Sequence, residues 1–133
     1  MLNKSLFGKT TNFKQLTDII RNRITMWIGS YNIDDLHLFL GGWTYYEQLN
    51  NVDDRFALAY SNYFSWWLHR KVKEENPILH KERCSLSLNY TSIVKVLAEE
   101  PKEQIILFFK LLDEFYNDFI NGIDLGKIES ELH

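Results

Sequence analysis

Acidic and aromatic side chains gather between residues 32 and 68, and they are the groups of this chain best suited to chemistry or binding. The segment holds the acid pairs Asp34–Asp35 and Asp53–Asp54, together with Glu47 and ten aromatic residues. Paired carboxylates can serve as general acid and base, but neighbours on a helix point about 100° apart. Helix capping and surface solvation explain these pairs better, so the segment is typical of a binding surface.

The sequence shows none of the usual patterns of a catalytic or metal site. The histidines are widely separated along the chain: His37, His69, His80 and His133. Paired zinc ligands, a Gly-x-Ser-x-Gly turn and a P-loop lysine are all missing, and the single cysteine excludes an internal disulfide. We therefore expect no enzymatic activity, no metal and no cofactor. The alternative is a site that folding assembles from His37, Glu47 and His69.

The segment from Trp66 to Lys73 (WWLHRKVK) mixes aromatic and basic residues. Such a mixture can stack on the bases of a single strand and neutralise its phosphates. Basic residues are also common at helix C-termini, where they interact favourably with the helix dipole, and the net charge of the chain is -3. Nucleic-acid binding through this segment is therefore the alternative function.

Charge is distributed in blocks along the chain. Residues 1–30 carry +4, residues 31–69 carry -4, residues 70–95 carry +3, and the remainder carries -6. Blocks of this kind can steer an oppositely charged partner, although acids at helix starts and bases at helix ends produce the same pattern for local reasons.

Apolar spacing indicates helices along most of the chain. The expected helices are Phe13–Ile28 closed by Gly29, a second capped by Asn32 and reaching Leu49, a third starting near Asn51 or Asp53, a short one at Thr91–Glu99, and a long one from Pro101. Pro77 and a loss of periodicity predict one long loop at about residues 73–90, and the alternative is an extra turn of helix that the spacing does not reveal. The fold class is all-α, a bundle of about five helices.

The length of 133 residues is typical of one domain. We predict a single helical domain over residues 1–133, with residues 1–11 and 124–133 as candidate flexible ends. No run of about 18 apolar residues is present and the N-terminus lacks the apolar part of a secretory signal. We therefore expect a cytoplasmic protein without membrane association.

Two aromatic residues lie away from the expected buried stripes. Leu36, Phe39, Leu40, Trp43 and Tyr46 form the inward stripe of the second helix, which leaves Tyr45 outside it. Trp66 lies near the polar side of the third helix. Either ring could anchor a partner, or could pack at the edge of the core.

Three segments of the sequence together suggest a family. They are DLHLFLGGW at 35–43, YFSWWL at 63–68 and FFKLLDEF at 108–115. Their order resembles that of small helical immunity proteins of bacterial polymorphic toxins, including the immunity partners of contact-dependent growth inhibition systems. The resemblance spans residues 32–120 and transfers no individual contact residue.

The resemblance implies a non-enzymatic cytosolic antidote, encoded beside a toxin, that binds a toxin domain and blocks its active site or its access to substrate. The toxin is often a nuclease with a basic substrate cleft, which acidic groups would suit. The final helix offers a second acidic face through Asp113, Glu114 and Asp118. The residues predicted to bind the partner are Asp34, Asp35, Tyr45, Glu47, Asp53, Asp54 and Trp66.

Overall fold

The part of the chain that the structure describes is mostly helical. The computed structural model describes residues 12–87 and 89–132, and no strand occurs among them. The predicted all-α class is confirmed, but the expected number of about five helices is wrong, because the described residues form eight α-helices. They are α1 Asn12–Ile20, α2 Ile24–Ile28, α3 Ile33–Leu49, α4 Arg55–Glu75, α5 Pro77–Leu79, α6 Tyr90–Leu97, α7 Pro101–Ile120 and α8 Leu125–Leu132.

The first expected helix is divided in two. α1 ends at Ile20 and α2 begins at Ile24, with a turn closed by a hydrogen bond from the Arg23 N–H to the Ile20 carbonyl at 3.0 Å. Ile20 and Ile24 are both buried. Gly29 ends α2 in the left-handed conformation at φ +86°, which glycine adopts without a Cβ clash.

Helix α3 begins at the residue that its sequence predicts. The side chain of Asn32 accepts hydrogen bonds from the backbone N–H groups of Asp34 and Asp35, at 2.8 and 3.2 Å. These N–H groups have no partner within the helix, so an asparagine cap stabilises the first turn.

The long loop predicted at about residues 73–90 is largely helical instead. Helix α4 continues to Glu75, and Asn76 then caps α5 by accepting the Leu79 N–H at 3.2 Å. Pro77 occupies the first turn of α5, where its missing N–H costs no hydrogen bond. A π-helical turn follows over His80–Cys84 and buries the Cys84 thiol.

The contacts of the chain cluster in two compact units, one ending at Ser61 and the other beginning at Asn62. In the first unit the ring of Phe13 packs against Phe56 and Tyr60, with centroids 5.8 and 4.7 Å apart. Other buried residues of this unit are Ile20, Ile33, Leu36 and Leu40. The prediction of one domain stays a prediction.

The second unit is built around aromatic rings. Phe64 is fully buried, and its ring lies 5.0 Å from Tyr90, 5.8 Å from Phe108 and 5.2 Å from Phe115. Residues 124–133 were candidates for a flexible end, but most of them form α8, which buries Ile128. The other candidate end, residues 1–11, lies outside the described residues.

Candidate functional site

Helix α3 exposes a row of apolar side chains on the face opposite its core contacts. Leu38 is 69% exposed, Tyr45 62% and Leu49 63%. Together with the exposed Gly42, they follow one another at spacings of four, three and four residues. Residues with this spacing lie on one face of an α-helix. We call Leu38, Gly42, Tyr45 and Leu49 the outer stripe.

The inner face of the same helix is also apolar. Leu36 and Leu40 are fully buried, and Thr44 and Glu47 are nearly so. Tyr46, which we expected to point inward, is 61% exposed at the edge of the outer stripe. A helix that is apolar on both faces normally buries both, and large apolar residues grouped on a surface commonly mark an interaction site.

Asp34 and Asp35 place two exposed carboxylates at the N-terminal end of the outer stripe. Asp35 accepts a hydrogen bond from the Ser30 hydroxyl at 3.1 Å. Negative charge at this end of α3 interacts favourably with the helix dipole, so the acids have a structural role. They also give the outer stripe an acidic end that a basic surface would complement.

The glycine pair in the middle of α3 has no packing role among the described residues. A Cβ atom built on Gly41 or Gly42 would meet no atom within 4 Å. Each glycine inside a helix costs about 1 kcal/mol relative to alanine, so a pair of them commonly accompanies a bend or the close approach of another backbone. The described part of the chain supplies no such backbone, so the open space over Gly42 remains available to a binding partner.

Replacing Gly42 with alanine should therefore stabilise the free protein. Alanine is favoured over glycine in a helix interior by about 1 kcal/mol, and the new methyl group meets open space. We expect the free energy of unfolding to rise by about 0.5–1 kcal/mol in urea denaturation. Gly29→Ala is the contrasting control, since its positive φ of +86° should make alanine destabilising. A loss of stability in Gly42→Ala would contradict the open space.

Glu47 and Asp54 do not belong to the exposed surface, so the prediction that both contact a partner there is corrected. Glu47 is 3% exposed and Asp54 1%. The Trp43 indole N–H donates to Oε1 of Glu47. Asp54 accepts the backbone N–H of Phe13 at 2.8 Å and that of Ala57 at 3.1 Å. Buried backbone donors need acceptors, which is why Asp54 turns inward.

Burial is the main cause that raises the pKa of Glu47, to about 7. The neighbouring Asp54 raises it further, both by its charge and by a hydrogen bond, while the Trp43 indole acts in the opposite direction. Near neutral pH a substantial fraction of Glu47 therefore carries a proton. Glu47 and Asp54 therefore belong to the buried interior of the first unit.

The remaining predicted contact residues are not part of the outer stripe. Asp53 is exposed in the connection that precedes α4. Trp66 belongs to the second unit, where it is half-buried and its ring centroid lies 6.1 Å from that of His69. Both stay predicted contact residues, and Asp34, Asp35 and Tyr45 are the ones that the structure places together on α3.

Two basic residues of the segment from Trp66 to Lys73 pair with nearby acids. Arg70 pairs with Glu74 at 3.0 Å, and Lys71 lies 3.0 Å from Glu75 and 3.6 Å from Glu114. Trp67 is buried and its indole donates to Asp118 at 2.8 Å. These contacts engage three of the groups that a nucleic acid could contact, and nucleic-acid binding stays a prediction. Glu114 and Asp118 of the second acidic face are engaged in the same contacts.

His69 is buried, and both of its ring nitrogens have partners. Nδ1 lies 3.0 Å from Nε2 of His80, and Nε2 lies 2.8 Å from the Ser87 carbonyl. The carbonyl can only accept, so Nε2 of neutral His69 carries the proton and Nδ1 accepts from His80. Among residues 12–87 and 89–132, no three histidine, cysteine or acidic side chains could hold a metal ion.

Sequence reasoning missed Leu38, Tyr46 and Leu49 as surface residues of α3. The spacing of Leu38, Tyr45 and Leu49 was the available signal, since these residues repeat on one helical face opposite Leu36 and Leu40. The signal is weak because α3 has apolar residues on nearly every side, and a periodic analysis then finds no polar face to orient the helix.

Comparisons with known proteins identify no relative. No family model matches the chain, and no curated protein or solved structure is significantly similar to it. None of the described helices is both long enough and apolar enough to cross a membrane. The function is therefore argued from the surface of the first unit.

Proposed function

We propose that this protein is a cytosolic immunity protein that binds a cognate bacterial toxin domain, a nuclease, and neutralises it through the outer face of α3. The observation that carries the proposal is the outer stripe with Asp34 and Asp35 at its N-terminal end. Exposed apolar side chains of this size, arranged on one face of a helix and bordered by charge, have the composition of a protein interface.

Tyr45 is the expected anchor of the interface. Tyrosine offers a large apolar ring with only two side-chain torsions to immobilise, and a hydroxyl that can remain hydrogen-bonded, so it is enriched among the residues that dominate binding energy. Leu38 and Leu49 lie on either side of it along the helix. Their combined burial would exclude water around the tyrosine, which strengthens its contacts.

Asp34 and Asp35 would supply orientation and speed of association. A nuclease presents a basic cleft to its substrate, and carboxylates attract such a cleft as phosphates do. Occupation of that cleft would block substrate access. Asp53 and Trp66 stay candidate contacts outside the outer stripe.

The test starts from the upstream gene, because immunity genes of the resembled class adjoin their toxin genes. The tagged protein is co-purified with the upstream product, and growth is followed while the C-terminal domain of that product is expressed. We expect a stable complex and restored growth. Co-expression of an unrelated toxin domain is the control, and it should not be rescued.

Two outcomes would overturn the proposal. One is the absence of both complex and rescue. The other is rescue that depends on the basic segment Trp66–Lys73 and is accompanied by salt-dependent binding to single-stranded nucleic acid, since that would indicate the alternative function.

A further inference from the structure

Two carboxylates share a buried position in the first unit without a basic partner. Glu47 and Asp54 are 3% and 1% exposed, and their side chains interact directly. No lysine, arginine or histidine among residues 12–87 and 89–132 forms an ion pair with either of them. Two buried negative charges in direct contact would repel each other strongly, which favours a proton between the two carboxyl groups.

The hydrogen bonds leave one oxygen of this pair without a donor. Both oxygens of Asp54 accept backbone N–H groups, from Phe13 and from Ala57. Oε1 of Glu47 accepts from the Trp43 indole, whereas Oε2 is buried without a protein donor. Two carboxyl groups can hydrogen-bond to each other only if one carries a proton. A proton on Oε2 of Glu47 satisfies this atom and joins it to Asp54.

We propose that the proton shared by Glu47 and Asp54 is a pH-sensitive latch that holds the first turn of α1 in place. When Glu47 loses this proton, its negative charge repels that of Asp54. Asp54 is the residue that accepts the hydrogen bond from the Phe13 N–H. Asp54 also caps its own helix through Ala57, three residues further along the chain. The bond to Phe13 joins segments 41 residues apart, and holding such a non-local contact closed costs more chain entropy than the local bond to Ala57. We therefore expect the bond to Phe13 to open first.

The groups that face the latch come from four segments. Trp43 contacts it from α3, the Phe13 N–H from α1, the Ala57 N–H from α4, and Asp54 itself from the connection before α4. Lys14, the nearest base along α1, is engaged with Asp18 at 2.6 Å. Asp54 is therefore the charged group that acts on Glu47.

The direction of the pH effect follows from the pKa of Glu47, which burial first and Asp54 second raise from 4.5 to about 7. A group with a raised pKa in the closed state binds its proton more tightly there than in the open state. In the closed state the Phe13 N–H is bonded to Asp54. The proton on Glu47 stabilises this state fully below pH 4.5. The stabilisation is lost as the pH rises towards 7, and the stability of the closed state changes little above that.

Amide hydrogen exchange of Phe13 measures the latch directly. The protection factor, which is the intrinsic exchange rate divided by the observed rate, removes the ordinary pH dependence of exchange. A pKa that changes from about 7 to 4.5 on opening predicts an approximately tenfold loss of Phe13 protection between pH 6 and pH 8. The carboxyl carbon of Glu47, followed by NMR, should titrate near pH 7.

Glu47→Gln is the decisive variant. Its amide can donate to Asp54 and accept from Trp43 while having no proton to lose, so Phe13 protection should be the same at pH 6 and pH 8. Glu103→Gln, which removes an exposed acid from α7, is the matched control and should keep the tenfold loss. Unchanged protection in the natural protein, a loss that persists in Glu47→Gln, or a Glu47 carboxyl that titrates near 4.5 would each overturn the latch.

Discussion

Asp54→Ala is expected to lower the free energy of unfolding by about 3–4 kcal/mol, because this carboxylate caps the N-termini of two helices. It accepts the Phe13 N–H at the start of α1 and the Ala57 N–H in the first turn of α4. Loss of a helix cap costs about 1 kcal/mol, and a buried N–H left without an acceptor costs about 1–3 kcal/mol more. The favourable interaction of one negative charge with two helix dipoles disappears as well.

Urea denaturation at pH 6 provides the measurement. Asp53→Ala removes the same charge one residue earlier, from an exposed side chain, and should change stability by no more than about 0.5 kcal/mol. Asp54→Asn should fall between the two, since its amide nitrogen cannot accept the N–H that the second carboxylate oxygen accepts. Equal effects of Asp53→Ala and Asp54→Ala would contradict the double cap.

The combined variant Asp34→Lys, Asp35→Lys, Tyr45→Ala is expected to lower the affinity for the toxin domain by at least about 100-fold. Truncation of a tyrosine at the centre of an interface commonly costs 2 kcal/mol or more, which is about 30-fold in affinity. Reversal of two charges that face a basic cleft adds repulsion. Because Tyr45 and both acids are exposed, the fold should tolerate all three changes, with a modest loss from the helix dipole.

Separate variants distinguish the two contributions in surface plasmon resonance. The double charge reversal should mainly slow association and weaken the salt dependence, while Tyr45→Ala should mainly speed dissociation. Glu99→Lys with Glu100→Lys, an exposed acid pair before α7, is the matched control and should bind normally. Normal affinity of the combined variant, in a protein that still rescues growth, would move the interface to another face.

Local rules identified much of the fold. Asn32 caps α3 and Pro101 opens α7 as the sequence predicts, because both depend on hydrogen bonds within one turn of helix. The same rules failed at residues 73–90. A proline that ends α4 there also begins α5, and spacing alone does not distinguish these two effects.

The candidate site was only partly accessible to sequence reasoning, and the acids show why. Asp53 and Asp54 are neighbours of the same type, yet Asp53 is exposed and Asp54 is buried, with only 1% of its surface exposed. What separates them is a backbone N–H of Phe13, 41 residues away. No local pattern contains that contact. The exposure of Tyr45 and Tyr46 is also difficult to predict from spacing, since α3 is apolar on both faces.

The burial of Cys84 gives the second unit its own chemical reporter. This cysteine is the only one in the sequence, it is fully buried at the end of the π-helical turn, and burial raises the pKa of its thiol. Alkylating reagents react with an exposed thiolate, so they can label this protein only when the second unit opens around residue 84. The rate of labelling then measures how often the second unit opens locally. This measurement is independent of any optical signal from Trp43 in the first unit.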